Sequence, residues 1–268
     1  MRGAVFVETL RRTWKQTIYW GIGLGTLGAF MALALPLLDA IDFIGLVESM
    51  PPAFLGALGV GDDVSVLATR DGLMATAYFN RFMLVFVVYP VIMGLRVSVN
   101  EEDEGILDMM LSLPLSRGWL LLEKVAAYIV TLPFLAAFIL GGIWLGNTIA
   151  DTQLDMAIMT QLVIALLPVL IFLLCITVLL GALIGRRNIA VATITGFVIL
   201  SFAIFTVGSM ASDSFMADVA NVSFFNYYNA IGVMQSGLSV THLTVLLGLA
   251  LAGIVVALWR FQTRDVNV

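Results

Sequence analysis

Four consecutive acids, Glu101, Glu102, Asp103 and Glu104, run into Gly105 and then into a patterned stretch that closes on Pro114, Ser116 and Arg117. On a helix, Glu104, Asp108 and Ser112 form one polar stripe. Ile106, Met110 and Leu113 fall opposite it, and Leu111 stands beside the stripe as an apolar knob. Pro114 stops such a helix and turns the chain toward the next apolar run. A segment of this kind lies with one face against protein or lipid, and an interfacial helix with no partner shows the same pattern. The acids also suit a helix start, where the dipole favours negative charge. Catalysis finds no footing elsewhere in the chain. His242 has no Cys or His near it in sequence to share a metal, and no Ser, His and Asp set recommends hydrolysis. No Gly-x-x-x-x-Gly-Lys-Ser/Thr loop is present to hold ATP. The chain itself is not expected to be an enzyme.

Composition sets the elements that must position this stretch. Of 268 residues, 61% are hydrophobic and 12% charged, with a mean hydropathy of +1.05, outside the range of soluble domains. Crossing the hydrocarbon core takes roughly 20 apolar residues as helix, and only helices or closed barrels satisfy their backbone there. The apolar runs are continuous rather than alternating, which excludes a barrel. The expected fold is an all-α membrane protein with one transmembrane domain over residues 1–268 and six spans, at about 17–38, 78–99, 125–146, 158–184, 189–210 and 241–259. Pro133 interrupts the third span and Pro168 lies in the fourth. The acidic stretch then falls in a link, residues 100–124, between the second and third spans.

Residues 1–16 are expected to form an amphipathic helix lying on the membrane. Glu8, Arg11, Arg12 and Lys15 share one face, while Val7, Leu10 and Trp14 line the other; a plain basic flank of the first span is the alternative. Residues 39–77 form an outer segment, best fitted by short interfacial helices around Pro51 and Pro52. Residues 211–240 form another, whose Phe224, Phe225, Tyr227 and Tyr228 suit the membrane interface or a partly re-entrant helix pair. The turn after the third span carries Asp151 and Asp155 but no base.

Charge gives the orientation. Of the 13 Lys and Arg, all but Arg70 and Arg81 fall on the side that holds both termini: Arg2, Arg11, Arg12, Lys15, Arg96, Arg117, Lys124, Arg186, Arg187, Arg260 and Arg264. The positive-inside rule then places both termini in the cytoplasm. The net charge of −5 and the lack of a basic patch exclude a nucleic-acid partner. Cys175, in an apolar run, has no second cysteine to pair with and reads as a small buried hydrophobe.

The centres of the spans hold no Asp, Glu, Lys or Arg, although such residues are the usual mark of ion coupling. Energy is therefore expected from force applied at the cytoplasmic face, where the 100–124 link lies. Gly21 with Gly25, Gly142 with Gly146, and Gly181 with Gly185 have the small-xxx-small spacing of close helix contacts, within one subunit more often than between two. Thr193, Thr195, Ser201, Thr206 and Ser209 make the fifth span the richest in hydroxyls, which line a route or bond backbone carbonyls.

Glu104-Gly105, the run Leu107 to Ser112, and Pro114-Leu115-Ser116-Arg117 resemble the signature between the second and third spans of ABC type-2 membrane permeases. Further likeness lies in Met50 to Leu58, in Ser223 to Tyr228 and in Phe261 to Val266, with Ile106 and Met109-Met110 as departures that keep the apolar character. The resemblance implies an exporter subunit in the cell membrane, the prokaryotic inner membrane, with an N-terminal elbow helix (Arg11, Arg12, Trp14, Lys15). It implies docking on a separate ABC ATPase subunit through Glu101, Glu104, Gly105, Leu107, Asp108, Leu111, Pro114, Ser116 and Arg117. ATP and Mg would sit on that partner, and this chain would hold no cofactor. A second permease, identical or related, would pair with the first among membrane lipids. A hydrophobic or amphipathic substrate would pass near the second and fifth spans, where Phe82, Phe86, Thr193, Phe197 and Ser201 are the pathway candidates. Two other readings stay open: a membrane scaffold or sensor that moves nothing, and an ion-coupled secondary transporter.

Overall fold

The computed structural model describes residues 3–38, 45, 66–67, 69–100, 116–210 and 215–263, and every regular element among them is helical. Helix α1 is Ala4–Leu38. Helix α2, Arg70–Met74, continues as a π-helical turn, Ala75–Asn80; α3 is Met83–Phe86; α4, Val88–Leu95, continues as a second π-helical stretch, Arg96–Asn100. Three long helices follow: α5 (Arg117–Ala150), α6 (Met156–Ile184) and α7 (Arg187–Met210). Helix α8 (Phe215–Ala220), a 3-10 turn (Phe224–Tyr227) and α9 (Ala230–Ser236) lead into α10 (Val240–Thr263). Among the described residues α1, α5, α6, α7 and α10 are each long and apolar enough to cross a bilayer. A sixth crossing is made if the pair 70–80 and 83–99, bent by 48°, counts as one span.

Several boundaries differ from expectation for identifiable reasons. No break separates residues 4–16 from the first span. Neither Gly nor Pro stands at that junction, and the Thr9 and Thr13 hydroxyls donate to Val5 O (2.7 Å) and Thr9 O (2.7 Å) inside the same helix. The expected elbow and first span are thus one rod of 35 residues, about 52 Å long at 1.5 Å per residue. The third span begins eight residues before Val125, so Arg117 and Lys124 belong to α5 and not to the link. Pro133 and Pro168 lie inside α5 and α6 without ending them, as packed membrane helices allow. Residues 70–77, expected in the outer segment, are already helical.

The second span is the irregular one. Pro90 offers no N–H to Phe86 O, and it sits in the first turn of α4, where a missing donor is tolerated. The chain therefore restarts at Val88. Upstream, Arg81 N–H donates to Thr76 O, the five-residue step of a π turn, and Val85 N–H reaches only Phe82 O.

Helix α6 lies at the centre of the bundle, with Leu162, Leu166, Val169, Leu170, Leu173, Leu174 and Val178 buried, and packs on α4, α5 and α10. Helix α1 packs chiefly on α5 through glycine. A Cβ on Gly25 would lie 2.6 Å from Phe138 O, one on Gly146 2.6 Å from Ala29 O, and one on Gly142 would overlap Gly25 O. The two glycine pairs expected to mediate close contact meet each other within one chain. Gly181 faces Ser98 in the same way, while Gly185 closes α6 with φ +64°.

Replacing Gly142 with Leu is expected to lower thermal stability in detergent by several degrees, since overpacking costs about 1–3 kcal/mol or more. Gly141→Ala, whose added methyl meets nothing within 4 Å, should leave the melting temperature unchanged. Fluorescence-monitored melting of both variants checks the difference.

Candidate functional site

Residues Glu101, Glu104, Gly105, Leu107, Asp108, Leu111 and Pro114 of the expected docking stretch lie outside the described residues. The structure enters at Ser116, the extended residue (φ −70°, ψ 138°) before α5, and Arg117 opens the helix. Two turns on, buried Glu123 accepts a hydrogen bond from Gly3 N–H at Oε1 (2.6 Å) and from Phe6 N–H at Oε2 (3.1 Å), while the Trp119 indole N–H donates to Oε1. Lys124 beside it is buried too. The end of α10 closes on the same place, where a Cβ on Gly118 would meet Gln262 Nε2 at 2.5 Å. The first helix, the last helix and the exit of the acidic link therefore converge at one end of the bundle.

The other end is tied by the short turn between α5 and α6. Asp151 takes the left-handed conformation (φ 49°), and the Asn147 side-chain oxygen accepts from the Thr152 hydroxyl (2.6 Å) and Leu154 N–H (2.9 Å). Asp155 caps α6 through Ala157 N–H (2.8 Å). The base absent from this turn in sequence is supplied from outside it: Arg70 Nη1 donates to Thr152 O (2.9 Å), and Asp155 N–H donates to Asp71 Oδ1 (3.0 Å). The residue 70 region and the 151–155 turn thus share one end, as the alternation of spans requires.

Between the ends lie the pathway candidates, and they fall into two groups. Phe86 is fully buried and packs edge-on to Tyr78 (5.2 Å between centroids), with half-buried Phe82 6.3 Å from the same ring. Tyr78 donates its hydroxyl to Leu24 O (2.8 Å). Below them Tyr89 donates to the Thr131 hydroxyl (2.8 Å) and shares a hydrogen bond with Thr17 (2.9 Å), so three buried hydroxyls link α1, α4 and α5. The Thr76 hydroxyl, in the first π turn, is buried with no hydrogen-bond partner among the described residues. The second group belongs to α7. Thr193 is exposed. Phe197, 37% exposed, stacks on Phe224 (5.6 Å), and buried Ser201 bonds the Ser223 hydroxyl (2.9 Å). No ring contact joins the two groups among the described residues. Phe86 is a core residue rather than a lining one.

Phe224 and Phe225 stack on each other (4.2 Å) and reach Phe172 of α6 and Phe202 and Phe205 of α7. With Tyr228 they are buried. The run is thus packed against α6 and α7 and not left exposed. Tyr227 stays at the margin, edge-on to His242 (5.6 Å).

A family model described as the multidrug efflux system permease Rv1217c, C-terminal domain, matches residues 8–262. The chain belongs to this family of multidrug efflux permeases. The resemblance carried by Glu104 to Arg117 led to the same class. No curated protein matches the chain significantly. The permease is accordingly a multi-pass membrane protein, and its bilayer-facing surface can be read as such. Between α1 and α5 runs an open groove of about 610 Å³, lined by Ile22, Ala29, Phe138, Trp144 and Leu145 among others. Thr26 gives the groove a hydroxyl in an otherwise apolar wall, so it receives a chain or ring without orienting a polar group.

In the expected elbow region of the permease, Arg11, Arg12, Trp14 and Lys15 are all exposed. Arg12 pairs with Glu8 (2.7 Å), and Lys15 Nζ lies 5.7 Å over the Trp14 ring. Glu123 and Tyr89 were missed in the sequence. A signal for Glu123 exists there: an acid inside the apolar run Trp119 to Tyr128, in a chain whose first helix starts at Gly3-Ala4-Val5-Phe6 with no Ser, Thr, Asp or Asn to cap it. Tyr89 has none, since its two partners come from distant helices.

Tyr89→Phe removes two buried hydrogen bonds and is expected to destabilise the permease by about 0.6–1.7 kcal/mol per bond, the range for interhelical bonds in membranes. Thr17→Val should cost less, because Tyr89 keeps its bond to Thr131. Equilibrium unfolding in mixed micelles checks the order.

Proposed function

We propose that this permease is the membrane-spanning subunit of an ATP-driven efflux complex that exports hydrophobic or amphipathic compounds. The observation that carries the proposal is the match to an efflux permease family across residues 8–262 in a chain with neither a nucleotide-binding loop nor ionisable residues at the centres of its spans. Energy enters from two separate ABC ATPase chains, which hold ATP and Mg and dock on the link between the second and third spans. Glu101, Glu104, Gly105, Leu107, Asp108, Leu111, Pro114, Ser116 and Arg117 form the contact. Both termini face the cytoplasm of a prokaryotic cell, as the bias of Lys and Arg supports.

A second permease, identical or related, covers α7. That helix leaves Ile189, Val191, Ile199, Leu200 and Val207 uncovered and touches the bundle through the small cluster of Leu95, Val99, Ala190 and Ile194 and through Val198, Phe202 and Phe205 on the main core. The exposed Thr193 and Phe197 then line the passage between the two subunits, while Phe82 marks its other wall. The apolar lining favours a lipophilic substrate over a sugar or ion.

Purification of the permease with its ATPase and reconstitution in lipid vesicles tests this directly. ATP-dependent flux of a lipophilic cationic dye is expected to survive an uncoupler and to stop when ATP is removed. Flux with the opposite dependence indicates a secondary transporter, and no flux of any candidate indicates a scaffold. Truncating Leu111 to Ala while reversing the charge of Glu104 should weaken ATPase docking about tenfold or more, since burying a leucine is worth about 1.5–3 kcal/mol. Unchanged docking and coupled ATP turnover would remove the contact from that stretch.

A further inference from the structure

We infer that Glu123 is a positioning residue that clamps the start of α1 onto the start of α5, so that force arriving at Ser116 moves the two helices as one body. The functional half of this inference rests on the ATP-driven reading above; the clamp itself rests on geometry alone. Helix α1 begins without the means to satisfy its own first amides. Gly3 occupies the cap position with φ +92°, a conformation that disfavours any residue with a side chain, and the first turn of α1 contains no acid. In an ordinary capping box, the cap side chain takes the N–H three residues on, and an acid there reaches back to the cap N–H. Here one carboxylate from another helix does both. Glu123 Oε1 accepts from Gly3 N–H (2.6 Å) and Oε2 from Phe6 N–H (3.1 Å), with negative charge placed where the α1 dipole favours it.

Trp119, one turn earlier on α5, donates its indole N–H to Oε1 and fixes the carboxylate from its own helix. Glu123 itself is 7% exposed, while its donors Gly3, Phe6 and Trp119 are only partly covered. It stands six residues after Arg117, about 9 Å along the helix from the point where the acidic link enters α5. Farther along, the Gly25 and Gly142 backbones touch, and Gly146 meets Ala29 and Ala32. The pair is thus fastened at its start, middle and far end. The other end of the same link is Asn100, the close of a π-helical stretch on a span bent by 48°. One end of the link joins a stiff pair and the other a deformable helix, so displacement of the link flexes the second span against α1 and α5 and not α1 against α5.

The test uses the full permease with its ATPase and three variants. Glu123→Ala removes the clamp. Glu123→Gln keeps one acceptor oxygen and the side-chain shape, and is the variant to rely on if the alanine form does not fold. Gly3→Ala strains the cap without touching Glu123. Amide hydrogen exchange of the purified permease should show residues 3–7 exchanging about tenfold faster in Glu123→Ala and Gly3→Ala, with a smaller rise in Glu123→Gln and no change in α6. In vesicles, the same variants should bind the ATPase and hydrolyse ATP at the wild-type basal rate while dye moved per ATP falls several-fold, in the same order. Exchange at residues 3–7 identical to wild type overturns the clamp. Faster exchange with dye per ATP unchanged overturns its role in coupling. A wild-type complex with no ATP-driven flux overturns the ATP-driven reading and the coupling role together, while the exchange result still decides the clamp.

Discussion

The contact on which the rest of this structure depends is the one between the backbones of α1 and α5. In a bilayer the lipid tails are as apolar as leucine, so helices gain nothing from merely hiding apolar side chains from one another. They gain from close packing, and Gly25 against Gly142, with Gly146 between Ala29 and Ala32, brings main chain against main chain. Two helices of 35 and 34 residues held at that distance form a strut about 50 Å long. Its outer surface keeps the apolar groove beside Phe138 and Trp144, and its inner surface carries the hydroxyls and the peptide oxygen to which the second span is tied.

The second span is the complement of that strut. Pro90 and the π turns on either side deny it a continuous ladder of hydrogen bonds, and in hydrocarbon an unsatisfied peptide group is costly. Side chains of the span fasten it to its neighbours instead. Tyr78 gives its hydroxyl to Leu24 O, and Tyr89 bridges Thr17 and Thr131, so a bent helix is held to two straight ones by tyrosine handles. The span is irregular within itself but tethered at two heights.

What was legible in the sequence was whatever depends on local composition. Continuous apolar runs show the membrane helices, and the glycine spacing shows which faces approach. The Glu104 to Arg117 signature leads to the family that the chain matches. What was not legible depends on partners distant in sequence. The expected break at residue 16 rested on a change of polarity, but helix continuity is decided by backbone bonds, and Thr9 and Thr13 spend their hydroxyls inside the helix instead of breaking it. Glu123 and Lys124 read as the end of a polar link, yet an acid that finds three donors can be buried without penalty enough to expel it. The aromatic run at Phe224 to Tyr228 is equally apolar at an interface or in a core; only contact with Phe172 and Phe202 separates the two.

The distribution of these fastenings decides which part of the permease moves at least cost. Helices α1 and α5 are joined along their length, α6 is buried between α4, α5 and α10, and the second span is tethered to the strut by hydroxyls. Among the described residues, the comparable buried hydroxyl bond of helix α7 is that of Ser201 with Ser223, and it reaches only the segment that follows α7. The helix is held by a small aliphatic cluster near Ala190 and Ile194, by the stacked phenylalanines, and by the Ser201 and Ser223 pair. Dispersion contacts of this sort are individually weak and slide with little loss, whereas a buried charge-assisted cap or a main-chain contact has one good geometry. Elements that rearrange in switching proteins come from the weakly fastened part of a fold. In this bundle α7 with the segment after it is one such part, beside the stretch of the second span beyond its Tyr89 tether, and like α1, α5 and α10 it keeps large apolar side chains exposed. A stiff strut and a loosely held helix are thus the two mechanical components of this bundle.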